Sequence, residues 1–311
     1  MDIKKDSFKA WILAARPKTL TGAAVPVMIA LALAWADIHT FDNLTNAQLD
    51  NGSPVAHFNW TAAVLCLLFA FIMQIDANFI NDYFDFVKGT DDRTTRLGPE
   101  RACTQGWVSI GRMKLAIAIT TALACLVGLP LISYGGIEMV VVGAVCVIFC
   151  FLYTTHLSYM GLGDLLVLVF FGLVPVCVTY YLQLHTITPQ VLTASLACGL
   201  VIDALLLVNN FRDRDTDRQA GKRTLVVGIG PKASILLYLG VGIIACCMGI
   251  VFLLNDHPFA FFFPLLYLLL HFLTYKKMKR IWAGRELNRC LGETARNIFV
   301  YGLLVTIGLL I

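Results

Sequence analysis

The chain has 311 residues, of which 58% are hydrophobic and only 14% charged, with a formal net charge of +4 and a mean hydropathy of +0.76. A soluble domain carries about a quarter charged residues, so this composition excludes a water-soluble globular protein and describes an integral membrane one. The opening stretch MDIKKDSFKAWILAARPKTL is basic and mixed. It lacks the apolar core and small-residue cleavage site of a secretory leader, so the first spanning helix is expected to stay in the mature protein.

An apolar core of ~30 Å takes about 20 helical residues to cross. Nine stretches qualify, at 19–37, 60–80, 114–133, 137–155, 163–183, 190–210, 233–254, 258–275 and 293–311. The eighth is short and the ninth begins among polar residues. With the N-terminus in the cytoplasm and the spans alternating, all 24 Lys and Arg fall on the inner side, and the outer segments 37–59, 134–136, 184–189 and 255–257 hold none. This asymmetry predicts an all-α bundle of nine transmembrane helices, N-terminus in and C-terminus out. It also makes the basic loops topology signals rather than a nucleic-acid surface. No Cys falls in an outer loop, so structural disulfides are not expected.

In chain order, the first polar cluster closes the second span, QIDANFINDYFDFVKGTDDRTTRLGPERACTQG (74–106), and another closes the sixth, VNNFRDRDTDRQAGKRT (208–224). Aligning NDYFD (81–85) on NNFRD (209–213) sets an Asn four residues before an Asp in both copies. Each is followed by Arg-Thr, at Arg93-Thr94 and Arg223-Thr224. The pattern reads as a parallel repeat: two related half-bundles within one domain over 1–311, with motif loops 81–112 and 209–232 on the cytoplasmic side.

Residues four apart share a helix face. Asn209, Asp213 and Asp217 therefore form one stripe if the helix continues that far; Gln74, Asn78, Asn81 and Asp85 form another, with Asp82 beside it and Asp91 just beyond. Facing carboxylate stripes repel unless cations sit between them. Mg²⁺ suits the position, because it takes oxygen ligands and bridges carboxylates to substrate phosphates. The candidate metal ligands are Asn81, Asp82, Asp85, Asp91, Asn209, Asp213 and Asp217, with Asp85, Asp213 and Asp217 as the catalytic acids. Lys88, Arg96, Arg101, Lys222 and Arg223 lie in the same loops and suit diphosphate oxygens, although the positive-inside bias accounts for their placement equally well. Arg214, Asp215 and Arg218 read as solvated charges. Carboxylates within a membrane are costly and usually functional, yet Asp76 and Asp203 receive no role. Asp203 either orients the second motif or is hydrogen-bonded structure.

The stretches WILAARPKTL (11–20), NDYFDFVKGTD (81–91), RLGPERACTQG (96–106), LYTTHLSYMGLGD (152–164) and VNNFRDRDTDRQAGKRTLVVGIG (208–230) together resemble the UbiA superfamily of intramembrane prenyltransferases, most closely its naphthoate-type branch. The last third of the chain carries no motif. The general first motif, Asn-Asp-x-x-Asp-x-x-x-Asp, is broken here by Gly89, and Asp91 resembles the shifted acid of the naphthoate branch. The resemblance implies transfer of a polyprenyl group from polyprenyl diphosphate to 1,4-dihydroxy-2-naphthoate. Diphosphate and CO₂ would be released and demethylmenaquinone formed, a step of menaquinone biosynthesis at the cell inner membrane. It also implies two Mg²⁺ per site and a substrate pocket drawing on Asn78, Tyr153, Thr154, Asp164 and Asn210. Tyr153 read alone is equally an interfacial aromatic, and Asp164 equally a first-turn helix acid. Another acceptor, 4-hydroxybenzoate or a glycerol phosphate lipid, stays open within the family, and a transporter stays open outside it.

Overall fold

The computed structural model describes residues 3–46, 57–89 and 96–311. Among these residues there is no strand, and nine helical spans are long and apolar enough to cross a membrane. They are, first to ninth, Phe8–Thr40, Trp60–Val87, Ile110–Gly135, Glu138–Thr155, Gly163–Leu184, Pro189–Gln219, Leu225–Leu253, Pro258–Ile281 and Leu287–Leu310. The expected count holds. The motif helices run on past their expected ends, the second span by seven residues and the sixth by nine. No Gly or Pro interrupts the polar residues that follow the apolar run. Both helices instead stop just before a glycine of positive φ, Gly89 (φ 67°) and Gly221 (φ 71°), a conformation glycine adopts without a steric cost.

Side-chain caps fix several starts. Asn59 Oδ1 accepts from the Ala62 N–H at 2.9 Å. Thr188, followed by Pro189 at the first helical position, accepts from Val191, and Thr224 accepts from Val227. Each such cap is worth about 1 kcal/mol. The first span starts earlier than expected. A helix over Phe8–Ala15 breaks at Arg16 (φ 51°, ψ 70°), passes through a 3₁₀ turn at Pro17–Thr19, and resumes at Leu20.

The sixth span is the hub. It packs against the fifth, seventh and ninth, and the ninth packs on the first. The fifth and sixth approach at backbone distance: a Cβ on Gly172 would lie 2.5 Å from the Ser195 carbonyl oxygen and 3.0 Å from the Gly199 Cα. Small residues at such a crossing let backbones meet where lipid supplies no hydrophobic drive. The third and fourth spans lie outermost and turn Leu123, Leu126, Val141 and Ile148 outward.

Candidate active site

The ends of the second and sixth spans border one cavity of about 1710 Å³. Its polar end is lined by Arg16, Asn81, Asp85, Arg96, Arg101, Tyr153, Tyr159, Asn209, Asp213, Asp217 and Lys222. Its other end is apolar, with Phe69, Met73, Val147, Phe149, Phe170, Phe171 and Val174. Leu129 and Ile148 line the cavity and are 55% and 53% exposed. The apolar end thus draws on the third and fourth spans as well as on the motif-bearing ones.

The sixth span presents Asn209, Asp213 and Asp217 to the cavity as one face, which its helical continuation to Gln219 makes possible. Asp213 is chelated by Arg212 at 2.5 and 2.8 Å. Asp217 lies 3.7 Å from Lys222, and its second carboxylate oxygen is buried without a hydrogen-bond partner. Asn210, beside Asn209, is 4% exposed and also borders the cavity.

The second-span stripe is split by its neighbours. Gln74, Asn81 and Asp85 face the cavity. Asn81 accepts from the Thr154 hydroxyl at 2.7 Å, and Asp85 is paired with Arg101 at 2.9 Å. Asn78 is placed otherwise: it is buried and donates to the Ala15 carbonyl and the Thr19 hydroxyl, both at 2.9 Å. It thereby fastens the second span to the break in the first. Asp82 also turns away. At 1% exposure, it accepts the backbone N–H groups of Ala102 at 2.8 Å and Cys103 at 3.1 Å, holding the inner loop rather than facing the cavity. Asp91 lies outside the described residues, as do Arg93 and Thr94.

The bases divide in the same way. Arg96, Arg101 and Lys222 line the cavity. Lys88 does not; it donates to the Thr155 carbonyl at 2.6 Å and lies over the Tyr159 ring, where it meets the negative end of the fourth span. The Arg223 backbone N–H binds the Tyr159 carbonyl at 3.1 Å, and the residue is exposed beside the cavity without lining it. Arg214, read as a solvated charge, is instead 7% exposed and donates to the Phe211 and Trp282 carbonyls at 2.7 and 2.9 Å. Its guanidinium lies over both rings, a contact the aromatic at 282 makes possible and the local charge pattern conceals.

Of the other pocket residues, Tyr153 and Thr154 line the cavity, but Asp164 lies behind it. It is 9% exposed with both carboxylate oxygens unpartnered, against a small void shared with Tyr153, Ser158, Asn210 and Lys222. Asp76 is fully buried and accepts from Thr120 and Thr121 at 2.5 and 2.7 Å, which makes it a hydrogen-bonded strut between the second and third spans. Sequence reasoning missed Arg16, Tyr159 and Asn288 on the cavity wall. Arg16 had a usable signal, a basic residue before Pro at the mouth of the first span; Asn288 had none.

A sequence profile of the UbiA prenyltransferase family matches residues 53–292. The chain belongs to this family. Among its relatives, the 1,4-dihydroxy-2-naphthoate octaprenyltransferase of Escherichia coli (strain K12) is 37% identical over 231 residues, covering 71% of this chain and 69% of that one. The enzyme of the same name from Mycobacterium tuberculosis is 33% identical over 252 residues, 80% and 79% of the two chains. The fold agrees with a UbiA homologue from Archaeoglobus fulgidus, solved bound to DMAPP and Mg²⁺. The TM-score is 0.59 at 13% identity, with 96% of this chain and 99% of that one covered.

The donor set of this UbiA-family site suits Mg²⁺ shared with a substrate rather than an ion caged by protein alone. Among the described residues no group of three or more His, Cys, Asp or Glu is assembled as an ion cage. What faces the cavity is carboxylate and amide oxygen from two helices, with one orphaned oxygen on Asp217. That is the arrangement expected of an ion shared between one or two carboxylates and substrate phosphates, and the residues fit.

Proposed function

We propose that this UbiA-family enzyme transfers a polyprenyl group from a membrane-borne polyprenyl diphosphate to 1,4-dihydroxy-2-naphthoate. The observation that carries the reading is one cavity that joins oxygen donors and bases from both motifs to an apolar, aromatic-lined chamber among the spans. The relatives' names supply the acceptor. Asn81, Asp85, Asn209, Asp213 and Asp217 would hold Mg²⁺, two ions in this reading. Bound there, the metal supplies charge neutralisation that makes diphosphate a good leaving group.

This chain's own residues do the rest. Arg96, Arg101 and Lys222 bind the outer phosphate oxygens as charge-assisted donors, while Phe149, Phe170 and Phe171 line the path of the polyprenyl tail and exclude water. The allylic C1–O bond breaks with its electron pair going to diphosphate. The naphthoate ring carbon bearing the carboxylate forms the new bond to C1, and loss of CO₂ restores aromaticity, leaving the quinol form of demethylmenaquinone. Tyr153, between the motifs on the cavity wall, is placed to orient the acceptor. The whole chain acts as one unit, with its motif face in the cytoplasm and its spans in the inner membrane, in keeping with the charge asymmetry.

The test is prenyl transfer by purified protein in nanodiscs with Mg²⁺, polyprenyl diphosphate and either dihydroxynaphthoate or 4-hydroxybenzoate. Prenylated product with the naphthoate alone, together with released diphosphate and CO₂, is the expected result. Product from the benzoate instead overturns the acceptor assignment.

A further inference from the structure

Arg212 belongs to the second motif yet does not line the cavity; it is 2% exposed. Its guanidinium donates to Asn209 Oδ1 at 2.7 Å, to both oxygens of Asp213, and through Nη1 to Asn288 Oδ1 at 2.8 Å. Asn288 lies in the first turn of the ninth span, in the third of the chain that carries no motif. Its amide group has one orientation that serves both sides. The oxygen faces the guanidinium, and Nδ2 donates to the Leu97 carbonyl at 2.8 Å. The next residue completes the fit, because a Cβ on Gly98 would stand 2.7 Å from Arg212 Nη2. Arg285, three residues before Asn288, also donates to the Arg96 carbonyl at 3.1 Å.

We propose that Arg212 and Asn288 form a clamp that sets the two halves of the diphosphate site in register. Arg212 is a positioning residue that holds Asn209 and Asp213. Asn288 ties that unit to the loop carrying Arg96 and Arg101, and Gly98 is the space the clamp needs. The proposal rests on the reading that the cavity binds prenyl diphosphate. Side-chain chemistry makes it specific. The planar amide offers an acceptor to Arg212 from one atom and a donor to Leu97 from the other, and a guanidinium can chelate Asp213 while reaching two further oxygens.

The test is binding of geranylgeranyl thiolodiphosphate, a donor analogue that does not ionise readily, to the full-length protein in nanodiscs, with Mg²⁺ and separately in EDTA. Gly98→Ala and Asn288→Ala are each expected to weaken binding about tenfold, the order of one lost charge-assisted contact. The double variant should be no weaker than the worse single, since both changes open the same link. Asn288→Asp keeps the bond to Arg212 and loses the one to Leu97, so it should fold as wild type and fall between wild type and Asn288→Ala. KM for dihydroxynaphthoate should stay within about twofold, because the clamp touches only the phosphate end. Wild-type affinity in Gly98→Ala and Asn288→Asp overturns the clamp alone, as does an equal loss for the acceptor. No binding by the wild-type protein removes the diphosphate reading and the clamp with it.

Discussion

Asp82 and Asp85 are three residues apart in one motif and do different work. Asp85 faces the cavity with Arg101 at 2.9 Å, whereas Asp82 is spent on two backbone N–H groups. Asp85→Asn and Asp213→Asn should each lower kcat/KM at least about a hundredfold, as removal of a group acting on developing charge does, with thermal stability little changed. EDTA should abolish turnover in the wild type and added Mg²⁺ restore it. Asp82→Ala should instead destabilise the fold, since each orphaned buried N–H costs about 1–3 kcal/mol; thermal unfolding in detergent reads this directly. Cys103 gives a second readout. Burial, and after it the Asp82 carboxylate, push its thiol up to about 12, so at pH 8 almost none is thiolate. Maleimide at that pH should leave Cys103 unmodified in the native protein and modify it in Asp82→Ala, as peptide mapping would show.

Among the elements, the sixth span carries the most. It supplies the second motif and crosses the fifth span where Gly172 meets Ser195 and Gly199. Gly172→Leu should force the helices apart and destabilise the protein by about 3 kcal/mol or more, the upper range for overpacking, with a lowered unfolding temperature as the check. The helical stripe Asn209, Asp213, Asp217 was legible in the sequence because a period of 3.6 residues maps spacing onto a face. The continuation of both motif helices was only conditionally legible, since polar residues mark a helix leaving the apolar zone as readily as a helix ending. Partners brought from elsewhere in the chain were not legible. Asp82 meets a loop twenty residues on, Asn78 meets the break at Arg16, Lys88 meets the end of the fourth span, and Asn288 meets Leu97 across 191 positions. No local pattern encodes these pairs, because they depend on how spans are arranged side by side.

At the scale of the whole molecule, the charge asymmetry makes a sidedness prediction. The Ala283 connection between the eighth and ninth spans lies on the motif face, and Ile187, between the fifth and sixth, lies on the opposite one. In intact cells a membrane-impermeant maleimide should label Ile187→Cys and spare Ala283→Cys; the reverse pattern overturns the orientation. The nine-span count was legible because bilayer thickness sets a length that composition alone can meet. The apolar chamber of the cavity was not, since its walls come from spans far apart in the sequence. That chamber, set among membrane spans and lined by Leu129 and Ile148, has a kinetic consequence if its donor comes from the bilayer. A donor that enters sideways is sampled from a two-dimensional solution, so the quantity that saturates the enzyme is its mole fraction among the lipids, not its molarity in the tube. Adding inert lipid at fixed total donor should slow the reaction by surface dilution, while the water-borne acceptor's saturation curve stays where it was.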